Sequence, residues 1–154
     1  MSELLEKILS RNNMNEAYKR VKANKGAGGV DDMEIEDLPE YIRKNWDGIK
    51  EQIITRKYKP QPVRRAEIPK PDGSKRKLGI PTVKDRVIQQ AIAQVISPMC
   101  EPLFSENSYG FRPNRDAHQA IGKALEYLNE GCEWVIDLDI EKYFDTVNHD
   151  KLIS

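Results

Sequence analysis

The residues best suited to chemistry lie late in the chain. From Glu133 to Ile140, the apolar Trp134, Ile136, Leu138 and Ile140 alternate with Glu133, Val135, Asp137 and Asp139. Read at the two-residue period of a strand, one face is apolar and the other carries two aspartates near the strand's end. Carboxylates so placed suit metal-dependent phosphoryl transfer. Mg²⁺ is a hard ion that takes carboxylate oxygens together with substrate phosphates and water. Two such ions about 3.5–4 Å apart can activate an attacking 3′-hydroxyl and stabilise a departing pyrophosphate. Asp139 could equally cap the turn that follows the strand. The spacing alone leaves both readings open.

A second, oppositely charged segment lies upstream. Between Arg56 and Lys77 there are nine basic residues against two acidic ones, Glu67 and Asp72. Between Glu133 and Asp150 there are six acidic residues against Lys142 alone. The formal net charge of zero hides this separation. A basic segment and an acidic one suit a protein that holds a polyanion with the first and a divalent metal with the second. Two solvated charged faces would leave the same trace. The cysteines, Cys100 and Cys132, are far apart, with no CxxC and only His118 and His149 to assist. A zinc site or disulfide framework is therefore not expected, and a reducing cytoplasm is the expected compartment. No apolar run approaches the roughly 20 residues of a membrane span.

These segments need elements to hold them. Leu4, Leu5 and Ile8 mark a first short helix, and Ala17, Tyr18 and Val21 a second, with Asn15 as its expected cap. Asn24–Gly29 breaks that helix with three glycines, serving either as a plain linker or as a place of close backbone approach. Two helical stretches follow, near 38–43 and 46–55. Val63–Pro69 and Lys75–Ile80 read as strands joined by a turn containing Asp72-Gly73. The charge around its tip predicts that this hairpin projects into solvent or onto a ligand. Thr82 and Asp85 resemble a capping box. Behind them a core stripe of Val87, Ile88, Ala91, Ile92, Val95, Ile96 and Met99 is stopped or kinked by Pro98. A second core helix is expected from Asn114, through Ile121, Leu125 and Leu128, to Gly131. A turn or helix at 143–145 and a capped helix after Asn148 follow. Together they predict an α+β architecture.

Several runs resemble one family. Asp139-Ile140-Glu141-Lys142-Tyr143-Phe144-Asp145 is similar to the first palm motif of reverse transcriptases. Ile68-Pro69-Lys70-Pro71-Asp72-Gly73, Arg76, Leu78-Gly79-Ile80-Pro81, Asp85-Arg86, Gln89-Gln90-Ala91-Ile92 and Ser108-Tyr109-Gly110-Phe111-Arg112-Pro113 resemble the fingers of group II intron-encoded reverse transcriptases. Asn24-Lys25-Gly26 to Gly29-Val30-Asp31 resembles the extension that precedes those fingers. The similarity implies a helical N-terminal extension over 1–58, reverse-transcriptase fingers over 59–131, and the first strand of the palm sheet within 132–154.

It also implies roles. Asp139 would be the first metal-binding catalytic aspartate, with the Ile140 carbonyl as a neighbouring ligand and Mg²⁺ as the ion. Phe144 would be the steric gate beneath the incoming sugar. Lys70 and Arg76 would grip the triphosphate, the arginine fork bidentately and the lysine as a point charge. Ile80 and Pro81 would cover the templating base. Asp137 would have a supporting role at most, and Asp145 a structural one.

The implied partners are group II intron RNA, an RNA template with a DNA primer, and dNTP. The resemblance stops before the family's Tyr-Ala-Asp-Asp hairpin, thumb and maturase region, so the chain is expected to be a fragment that is inactive alone. Its exposed palm strand is expected to recruit a second copy through 132–154. The alternatives are a non-catalytic RNA-binding module, or another lineage such as a retron, diversity-generating or CRISPR-associated reverse transcriptase.

Overall fold

The computed structural model describes residues 2–140 and 143–153. The chain divides into two compact units, Met1–Leu103 and Phe104–Ser154.

The first unit is built on α4 (Val83–Cys100). Val83, Val87, Ala91 and Val95 recur every four residues and are buried, which places one valine or alanine per turn on the face that meets α1 (Glu3–Ile8) and α2 (Arg11–Ala23). Each fully buried valine contributes about 1.5 kcal/mol or more. Ile92, Ile96 and Met99, expected in the same stripe, are 38–58 % exposed. The narrow row facing α2 covers only one side of the wider apolar band. Pro98 does not stop α4 either. The helix runs on to Cys100 and tightens into a 3-10 turn over Glu101–Leu103.

The caps explain two further departures. Ser10, not Asn15, opens α2, its hydroxyl accepting from the Asn13 amide at 3.3 Å. The polar start Arg11-Asn12-Asn13 carries no apolar marker, so periodicity places the helix too late. The Asn13 side chain faces inward, where its amide donates to the carbonyls of Ile8 and Ala91, both at 2.9 Å. Its oxygen accepts from Gln94 Nε2 at 2.8 Å. One polar side chain thereby ties α1, α2 and α4 together. The two stretches expected at 38–55 form one helix, α3 (Leu38–Ile54), which runs through the polar Lys44-Asn45 and Gly48.

The hairpin is as expected. β1 (Arg64–Pro69) pairs antiparallel with β2 (Lys75–Ile80), in a register setting Ile68 opposite Arg76 and Arg64 opposite Ile80. The Asp72 carboxylate organises the turn by accepting from the Ser74 amide at 2.9 Å and hydroxyl at 2.6 Å.

Of its two readings, the glycine loop takes the second and makes a close approach. A Cβ on Gly29 would lie 2.6 Å from Thr82 Cα and 2.8 Å from Thr82 N. Arg86, one turn into α4, donates to the Ala27 carbonyl at 2.7 Å. The loop is therefore packed on the start of α4.

In the second unit, α5 (Ala117–Asn129) is capped by Asp116, which accepts from the Gln119 amide at 2.9 Å. Asn114, the expected cap, instead adopts φ 59° in the preceding turn. The helix ends as expected before Gly131, in a Schellman pattern: the Gly131 amide donates to Leu128 and the Cys132 amide to Tyr127, at 3.1 and 3.0 Å. The expectation that α5 is a core helix is not met. Ile121, Leu125 and Leu128 are 50–59 % exposed, and no residue of α5 is buried.

The expected palm strand is likewise absent, since residues 132–140 take no regular secondary structure. A strand satisfies its backbone through a neighbour, and among the described residues the only sheet is the two-stranded hairpin. Two short helices follow, α6 (Tyr143–Thr146) and α7 (His149–Ile153). Asn148 caps the latter through the Lys151 amide at 2.9 Å, as expected. Among the described residues no helix is long and apolar enough to cross a membrane.

Candidate functional site

Four of the candidate residues lie together on or beside the hairpin. Lys70 opens the turn, its amide donating to Ser74 O at 2.7 Å while its carbonyl accepts from Gly73 at 3.0 Å. Arg76 and Ile80 share one face of β2, about 13 Å apart at 3.3 Å per residue. The opposite face carries Arg65, Glu67, Lys75 and Lys77. Pro81 continues from Ile80 into the cap of α4, and both are half-buried.

Pairing sets two of the segment's cations apart from the rest. Among the described residues, Arg64 is in an ion pair with Asp32, and Lys75 pairs with Glu67 at 2.9 Å. Among the described residues Lys70 and Arg76, like Arg65 and Lys77, are exposed and in no ion pair. A cation held by no internal partner retains its full capacity for an external anion. At the tip, the hydroxyl and amide of Ser74 hold the Asp72 carboxyl below the usual range. Asp72 therefore serves the turn, and among the described residues it is in no ion pair with the cations beside it.

The base of the hairpin holds groups that the sequence alone does not single out as a cluster. Asp85 is 2 % exposed. It accepts from the Tyr58 hydroxyl, from the Gln61 amide at 3.0 Å and from the Thr82 hydroxyl at 2.6 Å. Burial, followed by the hydrogen bond to Asp85 and the charge of that carboxylate, pushes the Tyr58 hydroxyl well above the ordinary phenol range. Lys84 lies 5.5 Å above the Tyr58 ring. The Thr82–Asp85 spacing is readable as a cap, but nothing in the sequence marks Tyr58 as its partner.

The remaining candidates belong to the second unit. Asp139 and Ile140 lie in the irregular stretch and are exposed, Ile140 by 68 %. Glu141, Lys142 and the Phe144 side chain lie outside what the structure describes, so the steric-gate expectation falls there too. Asp139 offers the hard oxygen donors that Mg²⁺ prefers. Among the described residues, however, no three acidic, histidine or cysteine side chains gather to hold a metal. Asp139 can supply one ligand and cannot form the site by itself.

Arg112, in the Ser108–Pro113 loop, is turned to structural use. It donates to the carbonyls of Ser105 and Ser108 at 2.6 and 2.9 Å, and its guanidinium stacks 5.4 Å from the Phe104 ring. Cys100 and Cys132 are free thiols.

Comparison with known proteins supplies the context for these placements. The chain is 35 % identical to Protein YkfC of Escherichia coli, over 100 % of this chain and 42 % of the relative. It is 38 % identical to the group II intron-encoded protein LtrA of Lactococcus lactis, over 90 % of this chain and 23 % of the relative. It is 32 % identical to a COX1/OXI3 intron 2 protein of Saccharomyces cerevisiae, over 90 % and 16 % respectively. It thus spans less than half the length of these relatives. Residues 68–154, from the end of β1 through Asp139, match the family model described as reverse transcriptase (RNA-dependent DNA polymerase). With more than half its length inside that match, the chain belongs to the reverse transcriptase family.

Proposed function

We propose that the chain supplies the N-terminal extension (1–58), the fingers (59–131) and the start of the palm (132–154) of an RNA-directed DNA polymerase of the group II intron type. In this reading the protein acts in the cytoplasm, where it binds its intron RNA and copies an RNA template from a DNA primer. The observation that carries the reading is the family match, which begins on the hairpin and contains Asp139. The likeness to a protein named as group II intron-encoded favours that lineage over the others.

Lys70 and Arg76 hold the triphosphate of the incoming dNTP, Ile80 and Pro81 contact the templating base, and Phe144 meets the sugar. Asp139, with the Ile140 carbonyl, is one side of the metal site. Bound Mg²⁺ would supply the charge that draws the 3′-hydroxyl and the phosphates together. The 154 residues alone should not extend a primer, because a single carboxylate does not assemble a two-metal site.

The triphosphate grip is testable in the full-length protein. Lys70→Ala or Arg76→Ala should raise the KM for dNTP about tenfold or more, the cost of losing a hydrogen bond to a charged group. If they contact only template backbone, steady-state kinetics will show an unchanged KM, and the salt dependence of RNA binding will flatten instead.

The exposed apolar run supports the pairing of two copies through 132–154. Trp134, Ile136 and Leu138 are 83–92 % exposed, and such a run recruits a partner. Light scattering should show dimers of 1–154 and monomers of 1–131. Monomers of both at high concentration would rule out this pairing.

A further inference from the structure

We propose that Asp85 is a positioning residue, whose buried carboxylate latches both roots of the β1–β2 hairpin to α4 and so fixes where Lys70 and Arg76 stand. This rests on the triphosphate reading above and extends it to a residue that would not touch the nucleotide. A helix cap asks little of position 85. Thr82 caps α4 by accepting from the Asp85 amide at 3.2 Å, a bond that any residue there could make through its backbone. The carboxylate does something else. Its two oxygens accept from Tyr58, Gln61 and Thr82. Tyr58 and Gln61 belong to the segment that leads into β1, and Thr82 closely follows β2. One carboxylate thus gathers the chain as it enters the hairpin and as it leaves.

Burial makes this arrangement costly without a further role. A carboxylate 2 % exposed gives up its hydration, and among the described residues no lysine or arginine pairs with it. Three hydrogen bonds replace the lost water. The hairpin in turn has little else to stand on. Among the described helices and strands, each strand of the hairpin packs substantially only on the other. Its other anchor is the exposed Arg64–Asp32 pair, and exposed ion pairs hold weakly. A lone two-stranded hairpin is marginal in water, so its orientation depends on its roots. Tyr58 completes the latch from below, its ring under Lys84 and its hydroxyl on Asp85.

The test uses three variants in the full-length polymerase and reads two quantities from each. Tyr58→Phe removes one bond and keeps the ring. Asp85→Ala removes all three. Asp85→Asn keeps an acceptor for Gln61 and Thr82, and lets the Tyr58 hydroxyl turn to accept from the new amide. Hydrogen exchange of the amides in 64–80 should quicken about tenfold in Asp85→Ala, less in Tyr58→Phe, and least in Asp85→Asn. Amides of α2 and α4 should keep their protection. The KM for dNTP should rise in the same order, while kcat at saturating dNTP changes little.

Loss of protection throughout α2 and α4, even in Tyr58→Phe, would overturn the proposal and make Asp85 a general core residue. Unchanged exchange in 64–80 would overturn it as well. So would a flat KM in these variants when Lys70→Ala raises it. A flat KM in Lys70→Ala itself would instead overturn the triphosphate reading, and with it the role assigned to Asp85.

Discussion

Asp139→Ala in the full-length protein should lower primer extension by more than about 100-fold while leaving the affinity for RNA largely unchanged. Disturbing even an outer partner of a metal ligand commonly costs about 10–100-fold in metal affinity or activity, and on the proposed assignment this change removes a ligand outright. RNA binding should survive because Asp139 is exposed and packs in no core. Its loss leaves no cavity and no buried group unpaired. Affinity for RNA should come instead from the basic segment of 56–77, which this substitution does not touch. Extension assays and filter binding on the same preparation give both numbers. A parallel fall in the two would make Asp139 a structural residue and remove the catalytic assignment.

Gly29→Ala should destabilise the first unit by about 1–3 kcal/mol, the usual cost of forcing extra atoms into a packed site. The added methyl would meet the Thr82 backbone at 2.6–2.8 Å. Backbone at the start of a buried helix cannot swing aside as a side chain could. Thermal melting should fall by roughly 4–8 °C for each kcal/mol lost in a unit of this size. Gly48→Ala is the matched control. Gly48 lies within α3 with open space where the methyl would go, so alanine should stabilise by about 0.5–1 kcal/mol. Opposite signs at the two glycines are the expected result. A neutral Gly29→Ala would mean that the loop does not press on α4.

Sequence signals hold where the physics is local. The turn at Asp72-Gly73, the cap at Thr82, the Schellman end at Gly131 and the cap at Asn148 each depend on a few neighbouring residues. All four are in the structure. Asp139 stands out in the sequence through its alternation with apolar residues and through the family motif, and its role as a ligand is a proposal.

The departures in packing and in strand formation share a cause, which is dependence on distant partners. Ile121, Leu125 and Leu128 have the spacing of a core helix, but spacing states only that an apolar face exists and not that something covers it. The alternation through 133–140 has the period of a strand, yet a strand forms only when a second one pairs with it. Tyr58 escapes notice for the same reason. Its significance comes from Asp85, 27 residues away, and no local pattern joins the two. The cap of α2 differs in kind. Ser10 stands before a polar turn that apolar periodicity cannot see, so the pattern points to Asn15 instead.

Whether these residues hold the incoming nucleotide of a polymerase can be read by photo-crosslinking. Full-length protein bound to template and primer would be irradiated with a photoreactive dNTP analogue, and the adducts mapped by mass spectrometry. Labelling is expected within 68–81 and 137–145, strongest when the analogue complements the templating base and suppressed by unmodified dNTP. Labelling that avoids both segments, or that ignores complementarity and competition, would mean that the nucleotide is held elsewhere.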